Sequence, residues 1–293
     1  MKNAINYYYN LYPENVYTSK HHNYFFIDNI RYTLIKYEED INEINKIYNI
    51  QIEMMKKNLY VHEIILNIER KPITFINENP YILLKTVYYD EKIKIDNIIA
   101  FSWLKENKEE KNWKKIWSDK NDYMEFQMSE LGKKHPLLRE SFSYYIGLAE
   151  TAVALTNNIN NEEINYTYAH KRINKEDTFL EFYNPLNIII DTKIRDITEY
   201  LKSSFFSGEN IEEVLYYYIN NIMLTKSEII MFIARMLYPT YYFDIFEEII
   251  TDREKEEKIQ NILSKTKEYE IILKEIYNIF KRNIEPLRIE WLE

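Results

Sequence analysis

The chain has 293 residues, 46% of them hydrophobic and 29% charged, enough apolar material for one large core or two smaller ones. Its formal charge of -9 provides no basic footprint for nucleic acid or an anionic membrane surface. There is no cysteine, which excludes disulfides, thiol chemistry and thiolate-held metals.

No apolar run approaches the roughly 20 residues that span a bilayer. The opening "MKNAINYYYNLYPEN" lacks the apolar stretch and small-residue cleavage site of a signal peptide, so synthesis in the cytoplasm is the expectation. Asn, Ile, Lys and Tyr are abundant, a bias that AT-rich codons produce without any functional cause. Glycine is scarce. There are three, Gly132, Gly147 and Gly208, where average usage predicts roughly 20. A phosphate-cradling loop needs glycines for close backbone approach and positive φ. Dinucleotide fingerprints, Walker loops and kinase-type glycine-rich loops are therefore absent as sequence patterns.

In chain order, "NYFFI" and "RYTLIKYE" read as strands joined by a "DN" turn. Residues 40–58 place Ile41, Ile44, Ile47, Ile52 and Met55 at helical spacing behind an Asp cap. "VHEIILNI", "ITFIN" and "YILLKTV" read as three more strands, divided by "ERKP" and "NENP". This predicts a five-stranded sheet carrying one helix over 1–88. From residue 89 the pattern is helical, through "IDNIIAFSWL", 112–131, 136–157, "IEEVLYYYINNIM", "TKSEIIMFIARMLY", "YYFDIFEEII" and a long charged helix from about 253 to 283. The expected class is α+β, with a small β-rich lobe over 1–88 and a large helical lobe over 89–293.

Several residues invite chemical readings. Lys36 is the candidate strand lysine for nucleotide phosphates, with Glu43 or Glu53 as partner; the alternative is an edge lysine facing water. His21, His22 and His62 suggest a metal site or plain surface histidines. Trp103, Trp113 and Trp117 suit a ligand platform or a helical core, and the "YYY" runs at 7–9 and 216–218 suit an interface.

Four blocks occur together in order: "ESFSYYIGLAETAVAL" (140–155), "YAHKRI" (168–173), "YNPLNIIIDTKIRDITEYLK" (183–202) and "ARMLYPTYYFDIFEEI" (234–249). This layout resembles the two-lobed protein-kinase-like fold in its aminoglycoside-phosphotransferase branch. Within that branch it is similar to the kinase-like spore coat proteins of the YutH and CotS types from endospore-forming bacteria. The resemblance implies a strand ending in His-x-Asp, whose Asp accepts the proton of the attacking hydroxyl. Here the triplet is His170, Lys171, Arg172, and a guanidinium cannot take a proton. Asn174 is the nearby amide offered for magnesium. The metal-binding Asp is implied twelve residues before the Asp that opens the next helix; counting back from Asp196 gives Asn184, which has no charge for magnesium.

Asp191 reads as a helix N-cap, with a surviving metal role as the alternative. Arg172 reads as a carboxylate's partner or as a phosphate anchor. Asp196 should be structural, buried beside His170 beneath the loop, because Ile194, Ile197, Leu201 and Phe205 form one apolar stripe on its helix. The resemblance thus implies a catalytically inactive pseudokinase without cofactor or metal, made in the mother cell and built into the spore coat among other coat proteins. Two rivals stand beside it: a phosphotransferase working through Asp177, Glu181 or Asp191, and a nucleotide- or glycan-binding module without turnover.

Overall fold

The computed structural model describes residues 1–19, 22–104, 106 and 111–293. His21 lies outside the described residues. The chain divides into two compact units, Met1–Ile93 with Glu176–Ile189, and Lys94–Lys175 with Ile190–Glu293.

The first unit opens on helix α1 (Lys2–Tyr9), followed by strands β1 (Tyr17–Thr18), β2 (His22–Ile27) and β3 (Ile30–Lys36). Helix α2 (Ile44–Lys56) precedes β4 (Glu63–Ile65), β5 (Thr74–Ile76) and β6 (Asn79–Thr86). The strands form one antiparallel sheet in the order β1-β2-β3-β6-β4, with β5 also on β6. Residues alternate between faces along each strand. Leu34 pairs with Leu83 and Ile35 with Ile82. Leu34, Leu83 and Phe25 join Ile5 and Tyr9 of α1 in one core, while Ile82 and Leu84 join Ile44 and Ile47 of α2 in another. The sheet therefore has a helix on each face.

Three sequence expectations are corrected here. Helix α1 and strand β1 add elements that the apolar pattern did not signal. The strand expected over 61–68 shortens to Glu63–Ile65, because Asn67 organises a turn: its Oδ1 accepts from Glu69 N and Lys71 N, both at 3.0 Å. Residues Ile41–Glu43 form a 3-10 turn, which shifts the phase of α2, so Gln51 and Met54 are buried and Ile41 and Met55 are exposed. Gln51 Oε1 then accepts from Ile64 N at 2.9 Å, capping the edge strand.

The tight β2–β3 turn has φ 49° at Asp28 and 62° at Asn29. Hairpins favour this left-handed pair, and Asp and Asn supply it in a chain poor in glycine. A later segment completes this unit. It contains the short helix α6 (Phe179–Phe182; α3 to α5 belong to the second unit), and Leu186 packs into the α2 core. Its backbone is tied by His62 N to Tyr183 O (2.9 Å), Phe179 N to Glu91 O (2.8 Å) and Ile93 N to Asp177 O (3.1 Å).

The second unit contains α3 (Ile95–Ser102), α4 (Trp113–Leu131), α5 (Pro136–Leu155), β7 (Tyr166–His170), the end of β8 (Ile188–Thr192) and α7 (Arg195–Phe206). It continues with α8 (Glu212–Asn221), α9 (Lys226–Leu237), α10 (Thr240–Ile250), α11 (Gln260–Leu263) and α12 (Thr266–Phe280). Strand β7 pairs with β8. Helix α9 starts on a Thr225–Glu228 capping box and is buried from Ser227 to Leu237, packed by α5, α7 and α12. The segment Lys226–Ile250 is long and apolar enough to cross a membrane by length and composition, a correction to the expectation above, but 78% of its apolar window is buried inside the protein. The single helix expected over 253–283 is interrupted at Ser264–Lys265, where Lys265 N turns back to Ile262 O (3.0 Å).

Candidate functional site

The site grows from the β7–β8 pair and the start of α7. All five residues of β7 are buried. At its end His170 binds Asp196 twice: the backbone N–H donates to Oδ1 at 2.9 Å, and ring Nδ1 lies 2.6 Å from Oδ2. A carboxylate can only accept, so Nδ1 is the protonated ring nitrogen. Ile194, Ile197, Leu201 and Phe205 are buried beside it, the stripe that draws Asp196 inside.

Strand β8 ends on a second buried carboxylate. Asp191 is fully buried, and the N-cap of α7 is Ile194, so Asp191 is not the cap expected from sequence. Its Oδ1 accepts from Thr192 N (2.7 Å) and Arg235 Nη2 (3.2 Å); its Oδ2 accepts from Arg195 Nη1 (3.0 Å) and Lys111 Nζ (3.2 Å). Burial works against the charged form, but Arg235, Arg195 and Lys111 outweigh it and hold the carboxyl below the ordinary range. Burial pushes the Arg235 guanidinium down to about 10, against the pull of Asp191. Arg195 also donates to His170 O (2.8 Å) and Lys171 O (2.9 Å), so one side chain ties the loop after β7 to the end of β8. Trp113 covers the cluster, 4.2 Å from Arg235 and 5.6 Å from Arg195, ring centre to guanidinium carbon.

The other expected positions make contacts of their own. Arg172 is 66% exposed and donates to Asp244 Oδ1 at 3.0 Å. Asn184 belongs to the first unit, in the turn before β8, where its Oδ1 accepts from Leu186 N (3.0 Å). Lys36 ends β3 at the surface and pairs with Glu38 at 3.3 Å; Glu53 pairs with Lys56 at 2.8 Å. His22 contacts Arg31 (3.0 Å), whose guanidinium is stacked against Tyr24 and Tyr89. His62 is buried against Tyr60. Among the described residues, no three His, Asp or Glu side chains gather to hold a metal. Glu181 is spent as the capping-box acid of α6, accepting from Thr178 N at 2.9 Å. Trp117 is a core residue stacked on Tyr238 (4.6 Å), whereas Trp103 is exposed.

Sequence reasoning missed Lys111, Arg195 and Arg235, and with them the pair Glu199–Lys202 (2.8 Å), which Thr240 bridges from α10. Arg235 had a signal, because an arginine inside "IIMFIARMLY" needs a buried partner.

The family model described as spore coat putative kinase YutH matches residues 2–276. The endospore coat-associated protein YutH of Bacillus subtilis (strain 168) is 24% identical over 206 residues, spanning 61% of this chain and 61% of that protein's length. Among solved structures, the aminoglycoside phosphotransferase of Alicyclobacillus acidocaldarius is similar with a TM-score of 0.72 at 9% identity, covering 96% of both chains. An AMP-bound spectinomycin phosphotransferase has a TM-score of 0.57 at 11% identity over 89% of this chain and 91% of its own. The amicoumacin kinase hAmiN has 0.53 at 11% identity over 99% and 96%. At such identities the likeness establishes the fold, an α+β kinase-like fold of the aminoglycoside-phosphotransferase kind.

Proposed function

This chain belongs to the spore coat putative kinase YutH family, and on that premise we propose that it is a pseudokinase acting as an interaction component of the endospore coat. The observation that carries this reading is the occupancy of Asp191. Both oxygens of the carboxylate that ends β8 are taken by the chain's own donors, three of them cations. A divalent metal would have to displace those cations before it found negative charge. Arg172 supports the same reading from the other side of the reaction, since a permanent cation accepts no proton. The Arg31–Tyr24–Tyr89 stack on the sheet supports it again, with bulky side chains on a strand that has no glycine. The relative's coat association supports a place in the coat for this chain, among other coat proteins and after synthesis in the mother cell.

The test is a thermal-shift and turnover measurement with ATP and GTP, with and without magnesium or manganese. Ligand at a hundred times its dissociation constant adds about 2.7 kcal/mol of stability, a readily visible shift. The expected result is no shift and no turnover. Magnesium-dependent ATP turnover that vanishes in a folded Asp191→Asn protein would overturn the pseudokinase reading. A fluorescent fusion should form a shell around the developing spore, and diffuse fluorescence would overturn the coat assignment.

A further inference from the structure

His62 is a buried titratable side chain that the proposed function does not use. It stands just before β4 in the first unit, with 0% of its surface exposed. The later segment Glu176–Ile189 of the same unit meets it there. The backbone N–H of His62 donates to Tyr183 O (2.9 Å), and the imidazole lies edge-on to the Tyr183 ring, 6.3 Å between centres.

The neighbouring hydroxyl fixes where the ring carries its proton. Tyr60 Oη accepts from Val87 N (3.2 Å) and Tyr88 N (3.1 Å), which fills both of its lone pairs. Its own proton is left for His62 Nδ1, 3.1 Å away. Nδ1 is therefore the accepting nitrogen, and Nε2 carries the proton, buried without a partner. A second proton fits badly. An Nδ1–H would point at an oxygen whose lone pairs are both taken, and the Nε2–H would stay unpaired beside it.

We propose that His62 is an acid-sensitive latch: the neutral ring holds Glu176–Ile189 on the first unit, and the protonated ring releases the segment and takes Leu186 out of the α2 core.

The surroundings suit a latch. The Tyr60 ring touches both Tyr88 (5.1 Å) and Tyr183 (4.7 Å), so moving Tyr60 or His62 loosens the bend at 87–88 and the segment together. Further along, the segment is tied to residues 91–93 through Phe179 N to Glu91 O and Ile93 N to Asp177 O. The exposed pair Lys92–Glu176 adds little to these. Burial is the largest influence on the ring's charge and opposes it, as does Arg31. Glu181 favours the charge, and so does the backbone of Phe179 and Leu180, which makes no hydrogen bond to Nε2. Tyrosines carry no charge in acid, so Tyr60, Tyr88 and Tyr183 add none.

Hydrogen exchange of the full chain, read by mass spectrometry and corrected for the intrinsic rate at each pH, tests the latch. The ring titrates at about 4 when closed and at about 6.5 when free. Moving from pH 7 to pH 5 should therefore raise the open fraction about twentyfold. Protection over 176–189 should fall by that factor, and at pH 5 it should be insensitive to low urea, because a local opening exposes little surface. In a His62→Gln protein shown to be folded by circular dichroism, the fall should disappear. Tyr60→Phe removes the donor that favours the neutral ring, so the midpoint of the fall should move to higher pH. Unchanged protection of the segment at pH 5 would overturn the proposal, as would exchange there with the same urea slope as β3 and β6. An equal fall in folded His62→Gln or an unmoved midpoint in Tyr60→Phe would do the same. If His62→Gln does not fold, the wild-type profile and the Tyr60→Phe midpoint decide alone.

Discussion

Asp196 is held by one residue at both oxygens, through the backbone and the ring of His170. A buried carboxylate with its donors removed, or donors left without their carboxylate, is strongly destabilising. Asp196→Ala should therefore cost about 3–5 kcal/mol in urea unfolding. Asn184→Ala loses one turn hydrogen bond in the other unit and should cost about 1 kcal/mol. Equal unfolding midpoints for wild type and Asp196→Ala would defeat this account.

Asp191 touches Lys111, Arg195 and Arg235 together. Its folded pKa lies below the unfolded value of about 3.9, so its contribution is complete above that pH and is lost as pH falls through the lower folded value. Asp191→Asn should be destabilised at pH 7, and its deficit against wild type should narrow on acidification below about pH 4. Parallel stability curves for the two proteins would contradict the cation count around this carboxylate.

His62 acts in the same sense, over a higher pH window. Burial pushes its pKa down to about 4. Between that value and the unfolded pKa of about 6.5 the unfolded chain binds the extra proton, so stability rises with pH across the window. Moving from pH 7 to pH 5 should cost about 2 kcal/mol through this residue. His62→Leu should remove that share of the pH dependence, measured by urea titrations at the two pH values.

At the β2–β3 turn, Asn29 holds a left-handed conformation. A side chain such as alanine costs about 1–2 kcal/mol there, and glycine costs none of that strain. Asn29→Ala should lower the melting temperature, and Asn29→Gly should leave it unchanged or raise it. A fall with glycine equal to that with alanine would show that the turn depends on the amide side chain instead.

The sheet and α2 are legible in sequence because alternation along 23–38 and 81–87 and the "DN" turn are local signals, and the burial of Asp196 follows from the apolar stripe of its own helix. The Asp191 cluster is not legible in that way. Which carboxylate meets Arg235, 44 residues on in the chain, is decided by the packing of α7 on α9. Counting back from Asp196 reaches Asn184, yet only Lys193 and Ile194 separate β8 from α7, so the carboxylate at the strand's end is Asp191. Turn length is invisible to a fixed interval. The fate of Arg172 was half legible: a carboxylate partner was expected, and the one it meets sits on α10.

The first unit takes Glu176–Ile189 from beyond helices α1 to α5 and strands β1 to β7, with Leu186 entering its α2 core. On the ribosome, the sheet emerges long before the segment that closes it. Translation at about 5–20 residues per second puts a delay of roughly 4–16 seconds between the two, the time to make residues 94–175. During that interval the α2 core of the nascent chain lacks Leu186, and its apolar surface is what a shielding chaperone would cover.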